Sequence, residues 1–100
     1  LRNYKAKMAK YRLPEARYAE LREFCLCSDS ADRQYITHAL ELTVNDDLAR
    51  WLYLHVVSTD YGWAKLEAEG LPCSRDTFRV YRAKFYWHLD RILNGASLPE

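Results

Sequence analysis

The sequence predicts an all-α fold, a compact bundle of four to five helices, and three observations carry that expectation. Apolar side chains recur every three to four residues over most of the chain, which gathers them on one side of a helix. Only three glycines and three prolines leave few places for turns, too few for a many-stranded sheet. No alternation of apolar and polar residues runs long enough to compete. One hundred residues make one domain, and a hydrophobic share of 49% is enough to build its core.

Residues 1–12 have no sustained apolar period and read as a flexible basic arm. A single helical domain over 13–93 and a C-terminal tail over 94–100 follow. Pro14 is expected at the first helical position, where its missing N–H costs nothing. It opens a helix whose Tyr18, Leu21, Phe24 and Cys25 share a face, running to about Cys27. Ser28-Asp29-Ser30 breaks that helix and supplies capping oxygens for the next, which turns Tyr35, Ile36, Ala39 and Leu40 inward. Thr43-Val44-Asn45-Asp46 resembles a capping box, with Asp in place of the usual Glu or Gln. The third helix it opens buries Leu48, Leu52, His55 and Val56, with Trp51 beside them. Ser58-Thr59-Asp60 ends or kinks it. Trp63 and Leu66 anchor a brief helix stopped at Gly70, a left-handed terminator.

Pro72 cannot continue that helix. Ser74 then reads as an N-cap, with Asp76 placed well for the helix dipole. Phe78, Tyr81, Phe85, Leu89 and Ile92 form a strong helical stripe to about Leu93, and Asn94-Gly95 stops it. Residues 61–93 thus outline a helix-turn-helix, the unit that lays its second helix in a DNA major groove.

Charge is more telling by segment than in its net value of +1. Residues 1–12 hold Arg2, Lys5, Lys7, Lys10 and Arg12 and no acid. Residues 13–70 hold eleven acids against five bases, and 71–100 hold five bases against three acids. Basic charge at the two ends suits a phosphate-facing surface, although a basic arm also serves simply as a solubilising tail.

On the last helix Asp76, Val80, Ala83 and Trp87 lie opposite the apolar stripe. In a docked recognition helix Arg75, Asp76, Arg79, Val80 and Ala83, just beyond Ser74, would reach base edges. Arg79 would bond a guanine, and Asp76 would accept from a cytosine amine. Arg82 and Lys84 would meet phosphates, joined by Lys5, Lys7, Lys10 and Arg12 of the arm. The alternative is an ordinary amphipathic helix with a solvated charged face.

The run from Gly70 to Phe78, with Tyr81-Arg82-Ala83 and Phe85-Tyr86-Trp87-His88-Leu89, resembles the C-terminal part of small helix-turn-helix proteins. These come from prophages and mobile elements of Gram-positive bacteria, including the RinA and ArpU types of late-operon activator. Lys10-Tyr11-Arg12-Leu13-Pro14 and Phe24-Cys25-Leu26 share that look more loosely. Their DNA-binding unit is similar to the fourth region of bacterial sigma factors, matched here by Gly70-Leu71, Ser74 and Thr77-Phe78. Pro72-Cys73 departs from that pattern by lengthening the turn. The resemblance implies a sequence-specific double-stranded DNA-binding transcriptional regulator, with RNA polymerase as a further partner.

Catalytic and metal chemistry find little support. Cys25 and Cys27, two apart on a helix, point in nearly opposite directions and cannot chelate one ion. Cys73 stands near a helix N-terminus, where its pKa is expected to fall. His38, His55 and His88 sit on three helices without ligand spacing, and His55 reads as a core or partly buried side chain. No glycine loop cradles a phosphate. The expectation is a non-enzyme with no cofactor and no metal.

The rival class is a helical protein-interaction module. Trp87 and Tyr86 offer an aromatic surface of the kind interfaces favour, so either the N-terminal helix or a second copy of the chain is expected to cover Trp87. No apolar run is long enough to span a membrane, and the odd cysteine count suits a cytoplasmic protein. Leu1 is not an initiator methionine, so translation is expected to start upstream, at Met8, or in an added leader.

Overall fold

The computed structural model describes residues 9–95, which form five α-helices: α1 (Glu15–Leu26), α2 (Ser30–Thr43), α3 (Asp46–Val57), α4 (Trp63–Ala68) and α5 (Arg75–Leu93). No strand occurs among the described residues. The all-α expectation holds, with the helices where the periodicity places them. Lys5 and Lys7 of the arm, and tail residues 96–100, lie outside the described residues.

Local chemistry sets the helix ends. Pro14 is the N-cap of α1, one position earlier than expected, and its carbonyl accepts the first helical bond from Tyr18 N–H at 2.9 Å. At the start of α2 there is a reciprocal capping box. Asp32 N–H donates to the Asp29 carboxylate at 2.8 Å, and Asp29 N–H donates to the Asp32 carboxylate at 3.3 Å. Two orphan donors are satisfied, each by a negative group at the positive end of a helix dipole. The box expected at Thr43 does not form. Thr43 is the buried last residue of α2, and its hydroxyl donates back to the Ala39 carbonyl at 2.7 Å. Asn45 caps α3 without a side-chain bond.

The break after α4 is a Schellman turn. Leu71 N–H donates to the Leu66 carbonyl at 3.0 Å and Gly70 N–H to that of Glu67 at 3.2 Å, with Gly70 at φ 96°. Leu66 is buried and Leu71 packs against the same core, the apolar contact that accompanies this motif. Ser74 then caps α5, its hydroxyl accepting from Thr77 N–H at 3.2 Å.

The long α5 organises the bundle and packs most extensively against α2. Phe78, Phe85, Leu89 and Ile92 are buried from α5, facing Ile36, Ala39 and Leu40 of α2 and Leu21 and Cys25 of α1 in one core. Leu52 and Val56 of α3 and Leu66 of α4 close it. A part-buried ion pair between Arg17 and Asp90 ties the start of α1 to the end of α5. Burial pushes the Cys25 thiol up to about 12, so it stays a neutral core side chain.

Phe85 has no exposed surface, so Phe85→Ala should cost ~3–5 kcal/mol by cavity formation, measured by urea unfolding. Gly70→Ala should cost ~1–2 kcal/mol from its left-handed backbone, since a methyl there meets nothing within 4 Å. A neutral result in the same unfolding experiment would remove the Schellman turn as a determinant of the α4–α5 break.

Candidate nucleic-acid interface

Arg75, Arg79 and Arg82 recur at spacings of four and three along the first turns of α5, so they share one edge of it. Arg75 and Arg79 are exposed and Arg82 is half-buried. The Arg75 guanidinium lies over the Trp63 ring, 5.1 Å from its centroid. Trp63, Phe78 and His55 line a hollow together with these arginines. Trp63 also stands 6.4 Å from Phe78, linking α4 to the start of α5. Three cations thus border an aromatic floor, with Asp76 the sole carboxylate among residues 75–82.

The side of α5 expected to enter a groove is placed differently. Ala83 is buried, so it has little surface to offer a base edge. The segment before α1 covers this side: Tyr11, Arg12 and Leu13 enclose a small recess with Tyr18 and Ala83. Val80 and Asp76 are half-buried. Tyr86, expected at an interface, is a core residue at 3% exposure and packs 4.8 Å from Tyr18 and 5.1 Å from Phe85. Trp87 has its cover within the chain, from the Tyr11 ring at 5.7 Å and the Arg91 guanidinium at 4.7 Å. The covering residue precedes α1 rather than belonging to it. The helix stripe is wider than the sequence suggested because α5 is packed on more than one side.

Other expected cations are dispersed. Lys84 lies nine residues from Arg75, on the opposite side of the helix at about 3.6 residues per turn. It sits near His88, whose pKa is lowered by burial first and then by Lys84, Arg91 and His38. Lys10 and Arg12 are exposed, Arg12 beside the recess over Ala83. Ser74 acts as the cap of α5.

Behind Arg82 the structure opens a cleft of about 410 Å³ between α1, α3, the 58–62 loop and α5. Arg22 and Arg82 line it with Ser58, Thr59, Tyr61 and Tyr86, and its wall contains no carboxylate. His55 holds the cationic side in place. Its Nδ1 is 2.8 Å from the Tyr61 carbonyl, which only accepts, so the proton is on Nδ1. Its Nε2 is 3.3 Å from Arg82 Nη1, which only donates, so Nε2 accepts. The neutral ring thereby satisfies both neighbours. Burial lowers the His55 pKa, against the bond to Tyr61, and the charges of Arg82 and Arg22 lower it further.

The role of Arg22 was not legible in the sequence, where it is a single base on the polar side of α1. Only packing brings it to Arg82, sixty positions later. The Cys73 thiol is raised by burial rather than lowered, so the expected activation near a helix N-terminus does not occur. Cys27 points away from Cys25 and donates to the Glu23 carboxylate at 2.9 Å. Among the described residues no group of three His, Cys, Asp or Glu side chains is arranged to hold a metal ion, and no helix is long and apolar enough to cross a membrane. No family model matches the chain, and neither curated proteins nor solved structures provide a match.

The bonds of His55 give a pH signature. Its folded pKa lies below the unfolded value of about 6.5, so its contribution to stability is complete above that pH and is lost as pH falls through the lowered folded value. His88 acts with the same sign, so a variant is needed to isolate one residue. Unfolding free energy should therefore fall more steeply from neutral toward acid pH in the wild type than in His55→Gln. Equal slopes would disprove the assignment.

Proposed function

We propose that the protein binds double-stranded DNA as a transcriptional regulator, engaging it with the basic edge of α5. The single observation that carries this reading is the alignment of Arg75, Arg79 and Arg82 beside Trp63 at the start of a capped, rigid helix. Arginine forks pair well with phosphates and with guanine edges, and a helix fixes their spacing. The edge lies about a quarter-turn from the side built of Asp76, Val80 and Ala83, so it is this arginine row that meets the duplex. Lys10 and Arg12 add charge from the segment before α1. The regulatory role, a contact with RNA polymerase and a prophage or mobile-element setting rest on the resemblance of residues 70–89.

A protein-interaction module is less well supported. Leu42 is the sole large hydrophobic classed as exposed among the described residues, which leaves little apolar surface for a stable partner. Pairing of two copies through Trp87 and Tyr86 loses its motive, since both rings are occupied within the chain.

If Arg79 reads a guanine, Arg79→Ala should cost ~1–3 kcal/mol on a preferred site and relax choice at one base pair. Arg75→Ala should weaken all sequences alike and reduce the salt slope by about one phosphate contact. Gel shifts and heparin retention across a salt series read both effects. Absence of any DNA complex in low salt, with the helical circular dichroism intact, eliminates the proposal.

A further inference from the structure

We infer that the cleft between Arg22 and Arg82 is a binding site for a phosphate monoester carried on a nucleotide-sized group. The inference goes beyond duplex binding and shares with it only Arg82 and the His55 that holds it. Its first support is charge. Two guanidiniums line the cleft, and no carboxylate lines it to neutralise them. Arg22 has no ion-pair or hydrogen-bond partner among the described residues. Arg82 meets only the neutral Nε2 of His55, which orients the guanidinium without cancelling its charge. A phosphate monoester carries close to two negative charges at neutral pH and accepts bidentate arginine bonds.

The second support is independent of charge. Tyr86 is 97% buried by its 3% exposure, yet its hydroxyl makes no hydrogen bond to any described residue. No fully enclosed side-chain oxygen or nitrogen of the described residues lacks a partner. The Tyr86 hydroxyl therefore keeps access to its surroundings, and the space it borders is this cleft. A phenol in that position has its proton free to donate to an acceptor in the cleft. Arg82 and Arg22 both act electrostatically on it, opposing the upward shift caused mainly by burial, so the two cations and the phenol converge.

The remaining lining fits the same ligand. The Ser58 hydroxyl oxygen already accepts from Asp60 N–H at 3.1 Å, which leaves its own proton to donate inward. Thr59 adds a second hydroxyl at the rim. A volume of about 410 Å³ exceeds what one phosphate fills and falls within the range of small-molecule pockets. Tyr18 and Tyr61 supply aromatic walls for the group bearing the phosphate. Free nucleotides and the 5′-phosphorylated ends of nucleic-acid strands present this same chemistry.

The test is titration of the full chain with adenosine 5′-monophosphate, followed by backbone amide NMR and calorimetry, with adenosine as the control. Saturable shifts centred on Arg22, Ser58, Tyr61, Arg82 and Tyr86, absent with adenosine, are expected. Arg22→Ala should weaken binding by about tenfold or more, the effect of one lost charged hydrogen bond. Tyr86→Phe removes only the hydroxyl, preserves the core, and should weaken binding several-fold. Arg75→Ala should leave this binding unchanged while lowering duplex affinity, which separates the two sites. Comparison of single strands with 5′-phosphate and 5′-hydroxyl ends identifies the source: preference for the phosphorylated strand over the free nucleotide assigns the cleft to strand ends, and the reverse to free nucleotide. The inference is overturned if the monophosphate shifts no cleft residue, or if Arg22→Ala and Tyr86→Phe, folded by circular dichroism, bind it as the wild type does.

Discussion

The seam between α2 and α5 is the constraint on which the other features depend. Phe78, Phe85, Leu89 and Ile92 run down one side of a nineteen-residue helix, and Ile36, Ala39 and Leu40 receive them. Ala39 is the small residue in that set, and it is fully buried in the same core. Each helix depends on this seam, because most helical stability in proteins comes from an apolar face being covered. Once α5 is seated, α1 can close over Tyr86 from one side and α3 can place His55 against Phe78 at 5.2 Å from the other. Among the parts of α5 left uncovered is the cationic edge at its start, where Arg75 and Arg79 are exposed.

That geometry explains which expectations were legible in the sequence. The stripes at three- and four-residue spacing located all five helices, and Gly70, Pro72 and Ser74 located the break before α5, because these are local effects of backbone and capping chemistry. Ala83 and Tyr86 were misplaced for a tertiary reason. A helical wheel assumes one buried side, and α5 is covered on more than one, so a small residue opposite the main stripe and a phenol on its flank were also enclosed. The Thr43 capping box failed because a Thr at a helix end can return its hydroxyl to the carbonyl four residues back, and here α2 extended to claim it. Acids stood at the true box, Asp29 and Asp32, in the usual spacing but with an unusual residue pair.

The candidate site was legible only in part. Arg75, Arg79 and Arg82 follow from their spacing, and Ser74 from its place before them. The meeting of Arg22 with Arg82, the neutral state of His55 and the unpartnered Tyr86 hydroxyl depend on contacts between residues far apart in sequence. Nothing in the order of residues along α1 marks Arg22 as different from Arg17, which instead pairs with Asp90. The distinction is whether a carboxylate faces the arginine after folding.

The two cationic features differ in how water and salt act on them. Arg75 and Arg79 stand in solvent, where ions screen charges beyond about 8 Å at physiological strength, so this edge suits contacts that form and break with a polyanion. Arg82 is half-buried against His55, in surroundings where the effective dielectric is lower and a single anion is held more strongly. The helix α5 thus offers a row of exchangeable contacts outside and one half-buried guanidinium, Arg82, at the cleft that the exposed Arg22 of α1 also lines. His55 links them, since its neutral ring accepts a hydrogen bond from Arg82 without supplying a competing negative charge. A carboxylate at position 55 would fix Arg82 more firmly and neutralise it, and both sites would lose the cation they share.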